Sequence, residues 1–113
     1  MPQQVTDIEV LKNYLQGIMD RADHHAQNVN EVALAVAGGV IWRKDDEPME
    51  VMVREGEMKN VLWFRVGSNR YALSYNHDTG EIELRQGTTQ GNVIGSFSNR
   101  MTNNEVRQIF ARL

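Results

Sequence analysis

Tyr14, Arg21 and His25 stand seven and four residues apart. At about 100° per residue, that spacing sets a phenol, a guanidinium and an imidazole along one flank of a helix. Facing a sheet, they can wall a cleft in which the imidazole carries a proton and the guanidinium holds an anion. The same positions suit boundary residues whose stems cover the core edge while their tips reach water. No required spacing ties a histidine to a tyrosine. Asp20 and His24 have the i, i+4 separation of two metal ligands, but no third ligand accompanies them. An exposed hydrogen bond or ion pair is expected there, and neither a metal site nor a cofactor.

Asp78-Thr79-Gly80 shares its letters with the aspartic protease tripeptide. That chemistry needs two carboxylates sharing a proton after an apolar strand, whereas Asn76-His77 precedes it here. Turn chemistry accounts for it: Asn and Asp cap a bend and Gly takes positive φ. Asp45 or Asp46 followed by Glu57-Met58-Lys59 has the letters of an acid with an E-x-K pair, as in metal-dependent nucleases. These acids lie in a turn signal and EGEMKN has the composition of a loop, so chance spacing explains the match. Trp63, Phe64 and Arg65 form the candidate interface. Adjacent rings on a strand point to opposite faces, and aromatic residues with arginine dominate interface hot spots.

These residues need elements to hold them. Thr6-Asp7-Ile8-Glu9 is a capping box, and Ile8, Leu11, Leu15, Ile18, Met19, Ala22, Ala26 and Val29 continue at helical steps, predicting a helix over about 7–27. The next segment, NEVALAVAGG, suits a short helix over 31–37, with Asn30 as a cap and Gly38-Gly39 as a stop. Its alternation also allows a strand. Val40 to Arg43 and Met49 to Arg54 have strand character, separated by an Asp45-to-Pro48 turn. Asn60 to Val66 is apolar enough for a central strand. In the following strands Tyr71, Leu73, Tyr75, Ile82 and Leu84 share one face, and a register slip would expose all of them. Asn92 to Phe97 closes the sheet as an edge. A second capping box, Thr102 to Glu105, opens a helix with Val106, Ile109, Phe110 and Leu113 on one face. The expected fold is α+β: N-terminal helices, an antiparallel meander of about five to six strands and a short C-terminal helix.

A chain of 113 residues makes one domain, residues 1–113, with a single core. It has no cysteine, which removes disulfides, thiolate nucleophiles and zinc-thiolate sites together. No signal-peptide pattern or span-length apolar run appears, so the expectation is a cytoplasmic protein without membrane association. The net charge is −3, with the excess of acid in the first half. Arginines 65, 70, 85, 100, 107 and 112 are spread out rather than gathered into a basic face, giving no strong nucleic-acid signal.

The stretch RYALSYNHDTGEIELRQGTTQG, with VRQIF after it, resembles small uncharacterised bacterial proteins, including those carried on mobile integron gene cassettes. The resemblance implies a compact, often oligomeric cytoplasmic protein and transfers no catalytic residue. The leading expectation is a non-catalytic binding or interaction domain, a homo-oligomer that uses its exposed sheet face or last strand. A small enzyme or ligand binder with a cleft between the first helix and the sheet is the alternative. A neutraliser of a toxin or phage protein, baited by Asp45-Asp46-Glu47, is the third.

Overall fold

Period-two alternation and tight turns govern the second half of the chain. In a computed structural model, five strands follow one another in space as they do in sequence: β1 (Glu50–Arg54), β2 (Glu57–Val66), β3 (Asn69–Asn76), β4 (Glu81–Gln86) and β5 (Val93–Phe97). Every pairing is antiparallel. The structure describes residues 7–24, 29–54, 57–76 and 78–113. Gly67-Ser68 joins β2 to β3, and Gly67 takes φ +62°, the positive value such two-residue hairpin loops require. After β3, Asn76 Oδ1 accepts from the backbone N–H of Asp78 at 2.9 Å and of Thr79 at 3.3 Å. The Asp-Thr-Gly tripeptide is therefore a turn, with Gly80 at φ +71°.

The register puts the expected apolar face inward. Leu62 pairs with Leu73 and Leu73 with Leu84, while Tyr75 pairs with Ile82 and Ile82 with Phe97. Three helices cover this face: α1 (Asp7–His24), α2 (Val32–Arg43) and α3 (Asn103–Ala111). Helix α1 lies over β1 and β2, α3 over β5, and α2 touches both helices. The architecture is α+β, as expected, with five strands. Thr6, expected to cap the first helix, and residues 25–27, expected within it, fall outside the described residues.

Helix α2 departs from the sequence expectation. The chain does not stop at Gly38-Gly39 and resume as a strand at Val40; residues 32–43 are one helix. The reason lies in packing. A Cβ on Gly39 would stand 2.6 Å from Phe110 Cγ, so a bare backbone lets α3 lie close against α2. Trp42, expected among the sheet aromatics, is on the last turn of this helix. Residues 57–59, expected as loop, belong to β2, whose Glu57 and Met58 pair with Arg54 and Val53 of β1.

The start of α2 is capped from afar. Its N-cap, Glu31, makes no side-chain cap. Asn99, after β5, supplies one: its Oδ1 accepts from Glu31 N–H at 3.1 Å and Val32 N–H at 2.9 Å. Asn99 Nδ2 donates to Asn30 Oδ1 at 2.8 Å, so Asn30 anchors the cap rather than serving as it. Asn99→Ala should lose about 1–2 kcal/mol. Asn99→Asp should retain most of that, because it keeps the acceptor and favours the helix N-terminus electrostatically. Urea denaturation of both variants checks this; equal losses would refute the capping role. Helix α3 carries the predicted capping box, with Thr102 Oγ1 accepting from Glu105 N–H at 3.1 Å and Glu105 Oε1 accepting from Thr102 N–H at 3.0 Å.

Candidate functional site

Of the cleft trio, only Tyr14 has a described side chain. Arg21 lies on the last turns of α1, and His25 falls outside the described residues. Tyr14 is in the core, 6% exposed. With Leu11, Val36, Leu73 and Ile82 it lines an apolar void of about 10 Å³ between α1, α2 and the sheet. That is room for about one water molecule and for no organic ligand. Tyr14 Oη has no hydrogen-bond partner among the described residues. Burial pushes its phenol well above the ordinary tyrosine range.

A raised folded-state value means that the fold favours the neutral phenol. This contribution is intact below about pH 10, where an unfolded tyrosine is also neutral. At higher pH the unfolded chain releases this proton while the folded chain holds it, so stability falls. Tyr14→Phe should be neutral or stabilising by up to about 1–2 kcal/mol at pH 7, since it removes a buried hydroxyl with no partner among the described residues. It should also flatten the decline above pH 10. A destabilised Tyr14→Phe in pH-dependent denaturation would show that the hydroxyl is satisfied.

The candidate interface trio is divided between the two sheet faces. Phe64 is 1% exposed, inside the core against Tyr71 at 5.8 Å between centroids. Trp63 and Arg65 face outward. The Trp63 ring is half-buried beneath the Arg70 guanidinium, 4.9 Å from its centroid, and Arg70 also pairs with Glu50 at 3.3 Å. Nearby, Arg85 pairs with Glu83 at 3.0 Å and donates to Gly91 O at 2.8 Å. Around Trp63 the outer sheet face thus carries arginines paired with their own carboxylates. Trp63 offers a partner little of its ring.

Among the described residues, Val93 on β5 and Ile8 on α1 are exposed singly, whereas α2 exposes three large apolar side chains. Leu34 is 60% exposed, Ile41 53% and Trp42 54%. At 100° per residue they fall, with Gly38, within an arc of about 100°. The inward residues Val32, Ala33, Val36 and Val40 are all buried. This helix is therefore apolar around its whole circumference until Arg43, a pattern that belongs to a buried helix. Here one side is uncovered. A Cβ on Gly38 would meet nothing within 4 Å, so nothing among the described residues uses its missing side chain. The sequence expectation missed this surface because it placed Trp42 and Ile41 on a strand. A helical wheel drawn over 32–43 would have found it.

Among the described residues no three of His, Asp and Glu gather to hold a metal ion, and no helix is long and apolar enough to cross a membrane. Comparison with curated proteins finds no match. The family model described as "Integron cassette protein VCH_CASS1 chain" matches residues 11–107. That match runs from the first turns of α1, through the whole sheet, into α3, so the chain belongs to this family of integron cassette proteins.

Proposed function

We propose that the chain is a non-catalytic interaction domain that associates with itself. The observation that carries this reading is the uncovered side of α2, with Leu34, Ile41 and Trp42 each more than half exposed on one helix face. Isolated exposed apolar residues are ordinary, but a contiguous group on a structured element marks a contact surface. Covering the exposed part of each side chain is worth on the order of 1 kcal/mol. Tryptophan is also among the residues most enriched at interface hot spots. The last strand, one of the first candidates from the sequence, exposes a single large apolar residue, Val93, and the sheet face supports the proposal less well. Trp63 is already stacked beneath Arg70, and Phe64 is interior.

Sedimentation equilibrium from about 1 to 100 µM tests the reading, since a contact of modest area gives micromolar affinity. A concentration-dependent dimer is the expected result, weakened by Leu34→Asp without loss of helix or sheet signal. A chain that stays monomeric throughout that range removes the proposal.

A further inference from the structure

We draw no further inference here: the strongest candidate, the uncovered apolar side of α2 around Gly38, carries nothing beyond the reading above, because nothing in the structure shows what covers it.

Discussion

Phe110→Ala is expected to lower the unfolding free energy by about 3–5 kcal/mol, a large fraction of what a domain of this size holds. Phe110 is fully buried and stacks on Phe97 at 5.5 Å between centroids, and its other side lies against the backbone of Gly39. Removing the ring therefore empties the joint between α2, α3 and β5 together. Neighbouring backbone cannot collapse into the space, because the sheet register fixes Phe97 opposite Ile82. Guanidinium denaturation should show a lower midpoint with little change in slope. A loss under 1 kcal/mol would mean that α3 is loosely docked.

The two adjacent glycines of α2 should respond to alanine with opposite signs. In dilute solution Gly38→Ala should stabilise by up to about 1 kcal/mol, since it improves helix propensity and the added methyl meets nothing. Gly39→Ala should destabilise by about 1–3 kcal/mol because its Cβ would overlap the Phe110 ring. The two positions share helix propensity, so the difference isolates packing. In a Phe110→Ala background the penalty at Gly39 should vanish or reverse, with the methyl entering vacated space. That reversal is a coupling measurable in a double-mutant cycle. Equal effects at 38 and 39 would show that α2 and α3 are farther apart than described.

The sheet was legible because its determinants are local. Alternation from Tyr71 to Leu84 fixes which face is inside, and Asn76 and Gly80 make the turn by their own hydrogen bonding and positive φ. The same holds for α3, whose Thr102 and Glu105 cap each other. Helix α2 was not legible as one element, since Gly38-Gly39 looks like a stop unless Phe110 is known to need the space. Its cap was equally hidden: Asn99 is far along the chain from the N–H groups it satisfies. Of the candidate cleft, only the place of the Tyr14 side chain is described, and it is interior. The apolar stripe of α1 is wide enough to take Tyr14 inside, so its phenol faces packing rather than a ligand. Trp63 and Phe64 were rightly assigned to opposite faces. What the sequence did not disclose is that Arg70 and Glu50 already occupy the outer one.

Helix α2 has two unlike sides. Residues that seat the domain internally point one way, and those that meet the outside point the other, with neighbouring glycines serving each. Substitutions at 34, 38, 41 and 42 should therefore remake the outer surface while the internal architecture is left undisturbed.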